Sequence, residues 1–263
     1  MEKMEYKNVL YAVEGPVAML TVNRPHRLNA VNTATLQELL AAAREAKADD
    51  SVRVLILTGS GDRSFIAGAD VKEMVENDYL QALAFAKLGQ RLCSTLEEMA
   101  KPVIAVINGY ALGAGCEIAV ACDFAYAAEH AELGMPEVNL GIIPGFGGSQ
   151  RLLRRIPAGM AREMVLAGEA IIAQEALRVG LVNRIYASDK LMAAAQETAI
   201  LISSKGPLAV ARAKDLMRAG LDMPLDAANT LERESFAGLF ATNDQTEGMQ
   251  AFLQKREPQF KGN

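Results

Sequence analysis

A chain of 263 residues, 51% hydrophobic, 22% charged and only 5% aromatic, is long enough to bury a large core. That alanine-rich balance belongs to a globular protein rather than a disordered or secreted one. A net charge of -5, with no Lys/Arg cluster interleaved with aromatics, gives no footprint for nucleic acid. No run of about 18 apolar residues is present to span a membrane. The polar opening at residues 1–7 matches neither a signal nor a transit peptide, so a cytoplasmic protein is expected.

The alternation of Val9, Tyr11 and Val13 with Val17, Met19 and Thr21 around Glu14-Gly15-Pro16 predicts an opening β-hairpin. A helix follows from Asn32-Thr33, with Thr35 and Glu38 at capping-box spacing and an apolar stripe at Leu36, Leu39, Leu40 and Ala43. Residues 52–57 read as a buried strand, and residues 65–70 as a small-residue loop. A long helix should then present Leu80, Ala84, Leu88, Leu92 and Leu96 on one face until Lys101-Pro102 stops it. Residues 103–107 form a second buried strand leading into a glycine-rich turn, with a short helix after Glu117 and a third strand at 124–127.

Residues 140–148 are too rich in Gly and Pro for regular structure. From Gln150 the pattern turns helical, with a late strand at 181–186. Beyond residue 188 helical periods dominate, at 189–204, 207–219 and 225–241, and a last helix opens at Asp244 with Glu247 at capping-box spacing. An α/β unit over residues 1–190 and a helical region over 191–263 are expected. Leu225, Leu239, Phe240, Phe252 and Leu253 give that region an apolar face, for its own core or for a neighbouring subunit.

The three cysteines, Cys93, Cys116 and Cys122, lack CxxC spacing and read as buried free thiols. With two histidines and no His-Glu-x-x-His or Gly-x-Ser-x-Gly stretch, metal and serine-hydrolase chemistry are disfavoured. The chemistry points to Glu117 and Glu137, each in an apolar, glycine-rich setting. Two carboxylates meeting in an apolar cleft would act as an acid/base pair; the alternative is that each decorates a surface turn. Gly113-Ala114-Gly115, between a strand and a helix, suits close backbone approach and N–H donation to an oxyanion, or simply close packing. It is neither a dinucleotide fingerprint nor a P-loop.

Three stretches together resemble the crotonase family, and most of all its short-chain enoyl-CoA hydratases. They are Phe-Ile-Ala-Gly-Ala-Asp-Val-Lys at 65–72, the segment 101–117 ending Gly-Tyr-Ala-Leu-Gly-Ala-Gly-Cys-Glu, and 136–152 beginning Pro-Glu-Val-Asn-Leu-Gly. The likeness runs from Asn23-Arg24-Pro25 and Leu28-Asn29-Ala30 to Phe252 and Lys255-Arg256. The resemblance implies a spiral of ββα turns with a C-terminal helical region, assembled as trimers paired into hexamers. It also implies an acyl-CoA substrate, with no metal or further cofactor. By the same resemblance Glu117 and Glu137 are the catalytic carboxylates, and the N–H groups of Ala67 and Ala114 hold the thioester oxygen. Gly145 helps position a carboxylate or the water. Leu28, Gly68, Ala69, Asp70 and Lys72 fall along the CoA arm, and Lys255 resembles a residue reaching a neighbouring subunit's CoA phosphates. Ala114 departs from the family's frequent Gly, which a backbone donor tolerates if its φ is negative.

The implied reaction adds water across a 2-enoyl thioester, with Glu137 protonating Cα and Glu117 taking the proton from water; the sequence leaves open which glutamate does which. Double-bond isomerisation, which one carboxylate can run, is the nearer rival. A non-catalytic acyl-CoA binder, or an RNA-binding side role, is the further one.

Overall fold

The computed structural model describes residues 6–263, and its elements fall into repeated turns. The hairpin β1 (Val9–Glu14) and β2 (Val17–Val22) leads into α1 (Thr33–Ala48). Next come β3 (Val54–Gly59), β4 (Ser64–Ala67), α2 (Val71–Met74) and α3 (Tyr79–Glu98). The following turn is β5 (Val103–Ile107), β6 (Tyr110–Leu112) and α4 (Ala114–Val120). After it come β7 (Phe124–Ala128), β8 (Glu132–Gly134), a 3-10 turn at Pro136–Leu140, α5 (Gly148–Arg155) and α6 (Ala158–Ala167). β9 (Ala170–Ile172), α7 (Ala173–Arg178) and β10 (Arg184–Tyr186) complete the sheets. Helices α8 (Ser188–Ser203), α9 (Pro207–Gly220), α10 (Leu225–Leu239) and α11 (Asn243–Gln254) end the chain.

Each turn places its first strand in one sheet and its second in another. The larger sheet has the order β1-β2-β3-β5-β7-β10 and the smaller β4-β6-β8-β9. This is the spiral of ββα turns that the motifs imply. The pairs β2/β3, β3/β5, β5/β7 and β7/β10 are parallel. A parallel sheet is covered on both faces, and β3 and β5 are accordingly apolar runs buried at every residue.

Several local expectations give way to better partners. Asn32 alone caps α1, accepting from the Thr35 N–H at 2.9 Å, while Glu38 accepts the Lys7 and Asn8 N–H groups and ties down the start of β1. Residues 65–67, expected as loop, extend β4 because β6 offers them a ladder. Helix α3 buries Phe85, Gly89, Leu92, Cys93 and Leu96, and Leu80 stays exposed, since the helix meets the core only from Phe85 onward. The short strands β6, β8 and β9 carry too few residues to show a period. The late strand shrinks to Arg184–Tyr186, the length that pairs with β7. Thr242, not Asp244, caps α11; the Asp244 carboxylate instead accepts the Lys261 and Gly262 N–H groups.

The boundary expected at residue 190 falls inside α8, and α8 packs across β2, β3, β5 and β7 as the cover of the main sheet. The helices beyond it reach out. Helix α10 buries no residue, and Leu225, Phe240, Phe252 and Leu253 are exposed on the single chain rather than packed in a core. One anchor is buried: Lys214 Nζ of α9 donates to Leu96 O, Lys101 O and Asp123 Oδ2 at 2.8–3.0 Å. The three cysteines are free and buried, and burial pushes the Cys122 thiol up to about 12.

Candidate active site

The glycine-rich turn is built to bring α4 against the smaller sheet. A Cβ on Gly115 would lie 2.0 Å from Ile66 O, so only glycine lets the helix start sit this close to β4. Gly113, with φ +50, turns the chain from β6 into the helix. Helix α4 begins at Ala114, so Glu117 stands in its first turn rather than ahead of it as the sequence suggested.

Glu117 is 2% exposed, and its Oε1 accepts the N–H groups of Phe146 at 2.8 Å and Gly148 at 2.7 Å. Burial lifts its carboxyl to about 7, with the charge of Glu137 adding to the rise, while the N–H groups of Gly148, Phe146 and Gly145 pull it back. Glu137 lies in the 3-10 turn after the buried Met135. Neither of its carboxylate oxygens has a hydrogen-bond partner among the described residues, and burial raises its pKa too. A Cβ on Gly113 would lie 3.1 Å from Glu137 Oε1, so this carboxylate rests against the turn that starts α4.

The two N–H donors follow from backbone geometry. Ala114 is the first residue of α4, where an N–H has no intrahelical acceptor, and its φ is not positive, so alanine serves there. The Ala67 N–H, expected as the second donor, is already bound to Leu28 O at 3.1 Å. The Ala67 N–H is thus taken, which leaves the Ala69 N–H as the candidate donor in its place. Gly68, with φ +91, rotates the next peptide so that its carbonyl accepts from Val31 N at 2.9 Å. In a trans peptide the N–H points opposite to the C=O, so the Ala69 N–H faces away from Val31, toward the cleft that Ala69 lines.

That cleft, about 670 Å³, brings together Ala67, Gly68, Ala69, Ala114, Glu117, Glu137 and Gly145. Its apolar wall comes from Val71, Met74, Phe85, Leu140, Ile142 and Ile143. The volume lies within the range of small-ligand sites. Leu28, Asp70, Lys72 and Lys255 are not in its lining. Leu28 has φ +50 and its carbonyl takes the Ala67 N–H and the Ser64 hydroxyl. Asp70 pairs with Arg24 at 3.0 Å and caps α2. Lys72 and Lys255 are exposed. The Phe146 and Gly148 N–H groups escaped sequence reasoning. A glycine cluster directly before a helix, at 145–148, was the signal that could have found them.

The family profile described as enoyl-CoA hydratase/isomerase matches residues 12–263. The chain belongs to the enoyl-CoA hydratase/isomerase family. This is the crotonase family its motifs resemble. A crotonyl-CoA hydratase of Syntrophomonas wolfei is 45% identical over 257 residues, covering 98% of this chain and 99% of that protein. A short-chain-enoyl-CoA hydratase of Clostridium acetobutylicum is 45% identical over 254 residues, covering 97% of each. Among solved structures, an enoyl-CoA hydratase from Bacillus anthracis superposes with a TM-score of 0.95 at 39% identity, covering 98% of this chain and 100% of that one. The enoyl-CoA hydratase/isomerase fold thus runs through the whole described chain, its C-terminal helices included.

Proposed function

We propose that this protein adds water reversibly across the double bond of a trans-2-enoyl-CoA to give the 3-hydroxyacyl-CoA. One observation carries the proposal: two buried carboxylates face a single cleft, one gripped by backbone N–H groups and the other bare. Burial lifts the Glu117 carboxyl to about 7, so near neutrality a share of it is ionised. The N–H groups of Phe146 and Gly148 stabilise that form, which suits a base that takes a proton from water as the oxygen bonds to Cβ. Burial raises the Glu137 carboxyl, with only its own backbone N–H opposing the rise, and this favours the protonated form, which suits an acid that delivers a proton to Cα. Water thus supplies hydroxide to Cβ and one proton to Glu117, and Glu137 gives one proton to Cα. Dehydration retraces the same steps.

As the Cβ–O bond forms, negative charge gathers on the thioester oxygen. The Ala69 and Ala114 N–H groups would donate to that oxygen, and loss of one such donor typically costs about 10²–10³ in rate. The reaction needs no metal and no cofactor beyond the CoA that the substrate carries. Double-bond isomerisation would use one carboxylate and give the second no task. The exposed apolar residues of α10 and α11 support a homo-oligomer, trimeric or hexameric, with Lys255 and Lys72 available to CoA phosphates in it. A cytoplasmic location fits an acidic protein in which no described helix is long and apolar enough to cross a membrane.

The test follows the loss of conjugated-thioester absorbance from crotonyl-CoA with wild type, Glu117→Gln and Glu137→Gln. Turnover by wild type with a loss of about 10² or more in both variants supports the hydratase. Turnover that survives Glu117→Gln, or preference for a 3-enoyl substrate, supports the isomerase instead.

A further inference from the structure

The N–H groups that hold Glu117 belong to residues 146 and 148, in a segment that has little structure of its own and is fixed from outside by α3. The peptide joining Gly145 to Phe146 is held at both ends: its N–H reaches Glu117 Oε1 at 2.8 Å, and its C=O accepts from Gln90 Nε2 at 3.0 Å. The next carbonyl, Phe146 O, accepts from Arg151 Nη1 at 3.0 Å. Arg151 is in turn oriented by Glu97 of α3, with Nη2 at 2.9 Å and Nε at 3.2 Å from Oε2. Two packing facts show that the arrangement is built. The Phe146 ring fills the space where Gly89 would carry a Cβ, 2.1 Å away, and a Cβ on Gly147 would lie 2.4 Å from Arg151 Nη1.

We infer that Gln90 and the Arg151–Glu97 pair are positioning residues for Glu117: they clamp the 145–148 segment so that its N–H groups meet the carboxylate in one fixed geometry. None of the three side chains lines the cleft, so none touches substrate. The inference rests on the reading of Glu117 as a catalytic carboxylate. Its physical content differs at the two bonds. Gln90 orients and polarises the very peptide whose N–H donates to Glu117, whereas Arg151, bound to Phe146 O, fixes the chain between the two donors. Loosening either bond weakens donation to Glu117 and favours its protonated form. The titratable groups around Glu117 are Glu137 across the cleft, Cys116 on α4 and Cys93 on α3, whose Sγ is 3.9 Å from Glu117 O. Burial keeps both thiols neutral, so Glu137 is the one of these three whose charge acts on Glu117.

The experiment compares wild type with Gln90→Ala, Arg151→Met, Arg151→Lys and Glu97→Gln. The midpoint of Glu117 titration is read by difference infrared on carboxyl-labelled protein, its band identified by its loss in Glu117→Gln. Crotonyl-CoA hydration is measured beside it. Gln90→Ala and Arg151→Met should raise the midpoint and lower kcat between about 10- and 100-fold, with KM held within about twofold. Glu97→Gln should move both in the same direction by less, and Arg151→Lys should recover part of the loss. An unmoved midpoint in folded Gln90→Ala and Arg151→Met, with only a lower Tm, overturns the clamp. The exposed Gln90 gives a folded variant even if Arg151→Met does not. If the midpoint rises but wild type never consumes crotonyl-CoA, the clamp stands and the hydratase reading falls.

Discussion

Glu117→Gln should inactivate the protein and, above neutral pH, make it more stable. In the unfolded chain this carboxyl titrates at its ordinary 4.5; burial lifts it to about 7 in the folded protein. Between those values the folded protein keeps a proton that the unfolded chain releases, so stability falls as pH rises from about 4.5 to about 7 and stays low above. At about 1.4 kcal/mol per pH unit the rise to about 7 amounts to about 3 kcal/mol. A glutamine has no charge to bury and its amide oxygen still accepts from Phe146 and Gly148. Its NH2 replaces an oxygen that accepts no hydrogen bond there, and leaving those donors unpaired costs roughly 1 kcal/mol. The expected gain is therefore about 2 kcal/mol at about pH 8.5, shrinking toward zero as pH falls to about 5. For a chain of this size that is a Tm increase of about 4–8 °C. Urea unfolding at both pH values and at one protein concentration measures it. A variant no more stable than wild type at the higher pH, or equally advantaged at both, refutes a carboxyl kept out of water at the expense of stability.

Gly68→Ala should reduce hydration of crotonyl-CoA by about 10²–10³, because φ +91 disfavours a side chain and relaxing it turns the Ala69 N–H out of the cleft; steady-state kinetics check this. Gly148→Ala places a Cβ 2.6 Å from Glu117 Cγ and should displace the carboxylate. Its kcat should fall by at least about 10², with a smaller change in the binding of a saturated acyl-CoA by calorimetry. Lys214→Met takes the cation from half-buried Asp123 and the donor from two main-chain carbonyls, and should lose about 2–3 kcal/mol in urea unfolding, with Asp123→Asn in the same chain recovering part of it. The proposed homo-oligomer predicts that Phe240→Asp shifts the sedimentation profile toward monomer, since this ring is exposed on the single chain.

The two carboxylates that meet in the cleft were legible in the sequence because a glutamate flanked by glycines and apolar residues is conspicuous in single letters. The same holds for β3 and β5, whose unbroken apolar runs announce strands covered on both faces. The donors were harder to find. A backbone N–H leaves no trace in residue type, and whether Ala67 or Ala69 offers a free one depends on the peptide rotation at Gly68 and on a bond to Leu28, close in space though far along the chain. The caps of α1 and α11 went astray for a related reason: Glu38 and Asp244 carry capping spacing but find backbone N–H partners 30 and 17 residues away. Strands of three residues, such as β6 and β8, exist because a neighbour pairs with them and show no pattern of their own.

The run Gly113-Ala114-Gly115 also says which substitutions this chemistry can survive. The first position needs a left-handed backbone and the third has no room for a methyl against Ile66, yet the middle one carries a methyl with no distortion. Drift through this stretch is thus channelled: the centre of the triplet can change while its flanks are frozen. A search pattern that demands three consecutive glycines would overlook working enzymes, whereas one that fixes only the outer two would find them.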